Sequence, residues 1–164
     1  MRRAPLLLLM ALATGCASGG AVPAPFPTPE PRPSSPAPAL APIDRPAVVG
    51  TALSLRGAPY RNGGSDPSGF DCSGFVAYVF AQQGLYLPRT VSEQYVQGQA
   101  VGQDSMEAGD LVFFSTVAPG ASHVGIAVSQ DEFVHAPSSS GVVRVESLNA
   151  PYWSSRFIGT RRIR

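Results

Sequence analysis

The sequence predicts an α+β domain in which helices come first and an antiparallel sheet of about five strands follows. Two observations carry this. Apolar residues recur at helical spacing up to about residue 96. After Gly109 they give way to short runs rich in β-branched and aromatic residues, separated by Gly, Pro, Ser and Asp turns.

The elements are expected as follows. A first helix starts at Asp44 as N-cap, holds Pro46 in its first turn and ends before Gly57. The stretch "GAPYRNGGSDPSG" (57–69) is dense in turn formers and reads as a loop. A second helix begins near Cys72, because Phe75, Val76, Val79 and Phe80 share a face, and Gly84 is placed to end it. Thr90 and Glu93 have capping-box spacing, which starts a short third helix in "TVSEQYVQ". Five strands are then expected in "DLVFFS", "HVGIAVS", "EFVHAP", "VVRVESL" and "FIGTRRI".

Ahead of this domain, two segments lack the pattern of a core. "MRRAPLLLLMALATGCASGG" has Arg2 and Arg3 before a short apolar run closed by small residues, the pattern of a secretory signal over residues 1–15. Ala13-Thr14-Gly15-Cys16 resembles a bacterial lipobox, which implies acylation of Cys16 and a membrane anchor. Residues 16–43 then form a proline-rich linker, since proline at nearly every second position leaves little to bury. At roughly 3.1 Å per residue such a linker reaches on the order of 70 Å. Ala17 lacks the aspartate associated with inner-membrane retention, so an outer-membrane anchor facing the periplasm is expected. The globular domain is 44–164.

Charge excludes one class of partner. The formal net charge is +1, and this gives no basic surplus for nucleic acid. A monomer is expected.

Of the two cysteines, Cys16 is assigned to the membrane end, so Cys72 has no disulfide partner. Cys72 falls at a helix start, where unpaired N–H groups and the helix dipole favour a thiolate. Asp71 and Ser73 flank it, and either suits an N-cap. Gly69 and Gly74 leave room for close approach of another chain segment. The chain has two histidines, His123 and His135, both in strand segments. A thiol nucleophile needs a base, and the base needs a group to orient it. A packing cysteine and hydrogen-bonded structural histidines remain the alternative. Zinc is disfavoured, because the three residues lack the tight pairs typical of zinc sites.

"GAPYRNGGSDPSGFDCSGFV", "LPRTVSEQY", "AGDLVFF", "SHVGIAV" and "FVHAPSSSGVV" together resemble the NlpC/P60 family of papain-like cysteine peptidases, in the family's order and over nearly all of the domain. The resemblance implies a papain-like fold. It also implies Cys72 as nucleophile, His123 as base and then acid, His135 as its orienting partner, and Tyr60 as a residue lining the site and stabilising the oxyanion. Asp71 and Ser73 match positions that contact the substrate's amino end in some members. The implied reaction is hydrolysis of an amide in peptidoglycan stem peptides, at D-Glu–diaminopimelate or a cross-link, through a thioester and without a cofactor. A wall-binding lipoprotein without activity and a papain-like acyltransferase are the alternatives.

Overall fold

The computed structural model describes residues 43–164. The signal segment, Cys16 and the linker up to residue 42 lie outside the described residues. Helix α1 (Arg45–Ser54) begins where Asp44 caps it, accepting from the Ala47 N–H at 3.0 Å. Helix α2 (Cys72–Ala81) is capped by Asp71, whose carboxylate accepts from the Gly74 N–H at 2.7 Å. Helix α3 (Val91–Tyr95) carries the full capping box of Thr90 and Glu93. Gly84 takes its left-handed φ of 75° just beyond the turn that closes α2. Leucine or alanine there would be strained.

The loop between α1 and α2 contains a small hairpin, β1 (Ser65–Asp66) and β2 (Gly69–Phe70). Strands β3 (Gln99–Val101), β4 (Leu111–Phe114), β5 (His123–Ala127), β6 (Glu132–His135), β7 (Arg144–Ser147) and β8 (Phe157–Arg162) form one sheet. Its order is β3-β8-β4-β5-β6-β7, with every pairing antiparallel. The sequence expectation of about five strands missed β3. "QAV" is largely exposed and short, so it carries no alternating apolar signal; pairing with β8 makes it a strand. Also missed was α4 (Pro151–Ser154), a single turn started by Pro151.

The sheet is buried on both faces, and strand alternation divides the core. Leu111, Phe113, Val124, Ile126 and Val134 pack with Val48, Phe75, Val79 and Phe80 of α1 and α2. Val112, Phe114, Ala127 and Phe133 form a second cluster with Met106, Leu148 and Trp153. His123 and His135 belong to this second side, where their rings meet Trp153 and Phe133. Asp110, fully buried before β4, ties three parts together: it accepts from Arg45 at 2.9 Å, from Arg162 at 2.9 and 2.8 Å, and from the Glu107 N–H at 2.9 Å. Burial alone would raise its pKa, but these donors outweigh it and hold the carboxyl below its ordinary value.

Candidate active site

A cleft of about 180 Å³ opens between the head of α2, the start of β5 and α4. Cys72, Tyr60, His123, Trp153 and Tyr152 line it, with Ser122 and the 136–139 loop completing the wall. No Asp, Glu, Lys or Arg is among the lining residues.

The position of Cys72 follows from how α2 starts. Asp71 caps the helix, and the third helical residue, Gly74, lies against the Gly64 carbonyl, where any Cβ would be 2.0 Å from the oxygen. That contact clamps the 57–69 loop, and Tyr60 with it, onto the helix head. The Asp71 N–H donates to the same Gly64 carbonyl at 3.0 Å. Cys72 is half-buried, facing the cleft and not sealed in the core.

Electrostatics differ from the sequence expectation. Burial pushes the Cys72 thiol above its ordinary pKa, and the adjacent Asp71 carboxylate adds to this. Backbone N–H groups of Ser73, Val124 and Cys72 itself pull the other way without reversing it. Burial also lowers His123 to about 4. The resting pair at neutral pH is therefore thiol and neutral imidazole, and no thiolate stands ready at the helix head. The Tyr60 hydroxyl is raised by burial and by its neighbours Cys72 and Asp71, so it remains a hydrogen-bond donor.

His123 Nε2 and His135 Nδ1 are 2.7 Å apart, so one proton is shared between them. This leaves His123 Nδ1 as the nitrogen available to the thiol. Gly125 makes the approach of the two strands possible: a Cβ there would fall 2.7 Å from Phe133 Cδ2 and 3.2 Å from His135 Cβ. Trp153 stacks on His123 with centroids 5.4 Å apart and planes at 27°, and meets His135 edge-on. His135 is fully buried, and its pKa falls to about 2 through burial, with His123 and Arg144 adding to the shift.

These shifts have a consequence for stability. Each folded pKa lies below the unfolded value of 6.5, so each ring contributes stability that is complete above 6.5 and is lost as pH falls toward the folded value. The windows are 6.5 down to about 4 for His123 and down to about 2 for His135. Between pH 6 and 4 the domain is expected to lose on the order of 1–2 kcal/mol per pH unit. His135→Gln should flatten this slope in urea titrations; an unchanged slope would show that the rings are not its source.

The structure brings Cys72, His123, His135 and Tyr60 together. It does not bring Asp71 and Ser73 to the cleft wall. Asp71 is occupied by the Gly74 and Gly63 N–H groups and by Arg89, at 2.9 Å to Oδ1 and 2.5 Å to Oδ2. Ser73 is buried, and its hydroxyl accepts from Arg89 at 2.9 Å. Asp71 caps α2, and both residues hold Arg89. Arg89, Trp153 and Tyr152 carried no assignment from sequence reasoning. The chain's sole tryptophan, following a proline in "APYW", was the available signal for the last two.

Comparison with known proteins gives the family and the fold. The NlpC/P60 family model matches residues 57–162. The murein DD-endopeptidase MepS/murein LD-carboxypeptidase of Escherichia coli K12 is 46% identical over 109 residues, covering 66% of this chain and 57% of that protein. A probable endopeptidase of Haemophilus influenzae is also 46% identical over 109 residues, covering 65% of this chain and 67% of that protein. Among solved structures, an NlpC/P60 family protein from Bacillus cereus superposes with a TM-score of 0.68 at 30% identity, over 74% of this chain and 41% of that one.

Proposed function

The chain belongs to the NlpC/P60 family, and from that premise we propose that it is a cysteine endopeptidase of peptidoglycan. The observation that carries this is a half-buried Cys72 and His123 on one cleft, with His135 at 2.7 Å behind the base. As the Cys72 sulfur bonds to the substrate carbonyl carbon, its proton passes to His123 Nδ1 and the carbonyl electron pair moves onto oxygen. The Tyr60 hydroxyl and the N–H groups at the head of α2 face that oxyanion. The C–N bond then breaks, and His123 returns the proton to the leaving amine. Water, deprotonated by the same ring, cleaves the thioester and regenerates the thiol.

The bond favoured is the D,D cross-link. The relatives named above include a murein DD-endopeptidase, and the cleft supports the same reading, because it offers no cation to the free carboxylate of a γ-linked D-glutamate. A D-alanyl acyl group carries only a methyl there. D-Glu–diaminopimelate is the second candidate. The acylated Cys16, the 16–43 linker and a monomer anchored in the outer membrane and facing the periplasm complete the proposal, on sequence grounds alone.

Mass spectrometry of muropeptides from digested, purified peptidoglycan tests it. Cross-linked dimers should give way to monomers. Binding to sacculi with no new peptide ends would leave the wall-binding reading, and transfer to an added amine faster than hydrolysis would leave the acyltransferase. In the same assay His135→Gln should retain about tenfold more turnover than His135→Ala, because an amide still pairs with His123 Nε2. Wild-type rates in His135→Ala would remove the orienting role.

A further inference from the structure

His135 has a second ring nitrogen, Nε2, which is buried and has no hydrogen-bond partner among the described residues. The carboxylate beside it is that of Glu146 on β7, whose Oε1 lies 3.8 Å away. The β6–β7 register explains the approach: it pairs His135 with Arg144 and Phe133 with Glu146, so Glu146 lies diagonally from His135 on the same face of the strand pair. Glu146 is three-quarters buried. Its Oε2 accepts the indole N–H of Trp153, the ring that stacks on His123. Its Oε1 also receives Arg144 Nε at 3.1 Å.

We propose that Glu146 is a positioning residue that fixes the tautomers of both histidines, so that His123 presents a free lone pair to Cys72. The proposal rests on the reading of His123 as the base. Only one proton fits between His123 Nε2 and His135 Nδ1, and two arrangements are possible. In the first, His123 Nε2 donates, His123 Nδ1 is free to accept the thiol proton, and His135 carries its own proton on Nε2. In the second, His135 Nδ1 donates, its Nε2 bears a lone pair, and the His123 proton sits on Nδ1, facing the thiol it should deprotonate. The second arrangement cannot work as a base.

Glu146 distinguishes the two by sign. In the first, an N–H dipole faces a carboxylate; in the second, a lone pair does. At 3.8 Å this is an electrostatic contact and not a formed hydrogen bond, but burial of both groups leaves it little screened. Arg144 pairs with His135 across the strands, and its charge acts on that ring and offsets part of the carboxylate's, but it is half exposed and so more strongly screened by solvent than the three-quarters-buried Glu146. When His123 accepts the thiol proton, the same chain of contacts places a negative charge behind the new imidazolium. Through the Trp153 indole, Glu146 also holds the plane that covers His123.

With two histidines in the chain, ring 15N spectra of the full-length protein read the tautomers directly. The wild type should show His123 Nε2 protonated, with His135 protonated at Nε2 and bare at Nδ1. Glu146→Leu should populate the reversed pattern and lower kcat by tenfold or more, with little change in KM. Trp153→Phe, which loses the indole bond but keeps the carboxylate beside His135, should keep the wild-type ring pattern whatever its rate. Glu146→Asp should restore both pattern and rate in part. A wild-type pattern in Glu146→Leu, or a reversed pattern in Trp153→Phe, overturns the proposal. Cys72→Ala that still turns over would instead overturn the reading of the site, whatever the ring spectra show.

Discussion

Cys72→Ala should reduce turnover of peptidoglycan by three orders of magnitude or more and leave the domain folded. The sulfur is the group that bonds to the carbonyl carbon, and it is the one thiol among the residues lining the cleft. The structural cost is small, because Cys72 sits at the cleft wall and the cap of α2 comes from Asp71. A loss of about 1 kcal/mol or less is expected. His123→Ala should match the loss of turnover, but for a different price in stability: its ring packs against both Trp153 and Phe114, so its removal leaves a void worth about 2 kcal/mol. Muropeptide release and thermal unfolding, measured on the same preparations, check both. Turnover within tenfold of wild type in Cys72→Ala would end the thioester mechanism.

The second large effect is structural. Gly74→Ala places a methyl 2.0 Å from the Gly64 carbonyl oxygen and 3.0 Å from an Asp71 carboxylate oxygen. Neither neighbour can yield easily, since that carbonyl accepts from the Asp71 N–H and from Arg89. Ordinarily Gly→Ala within a helix gains up to about 1 kcal/mol. Here the sign reverses, with a loss of about 3 kcal/mol and a Tm lower by roughly 10 °C. Turnover should fall as well, because the displaced loop carries Tyr60. Gly50→Ala in α1 is the matched control: nothing lies within 4 Å of its Cβ, and it should stabilise. Equal Tm values for Gly74→Ala and wild type would refute the clamp.

Much of this was legible in the sequence where short-range chemistry decides. Asp44, Asp71 and Thr90 cap the helices expected of them because a side-chain oxygen finds an N–H three residues on, whatever the rest of the chain does. Strands β4 to β6 carry dense apolar runs, so they too were visible. Strand β3 and helix α4 were not, since partners distant in sequence stabilise them. The cysteine and the two histidines were legible by chemical type and by family resemblance. Their energetics were not. A helix head favours a thiolate, but burial outweighs it, and burial depends on the whole fold. Likewise, Asp71 and Ser73 read equally as caps or as substrate contacts; the structure makes Asp71 the cap and adds Arg89, sixteen residues beyond Ser73, as a partner of both, which no short-range pattern signals.

The strand order has a bearing on how the domain comes into being. Strand β8, the last strand in chain order among the described residues, inserts between β3 and β4, and the helical turn just before it supplies Tyr152 and Trp153 to the cleft. A growing or threading chain that has not yet delivered residue 162 lacks a central strand. Pairings this distant in sequence are slow to form. Assembly of the cleft thus waits for residue 162, and a chain on the ribosome that stops short of it has no formed site.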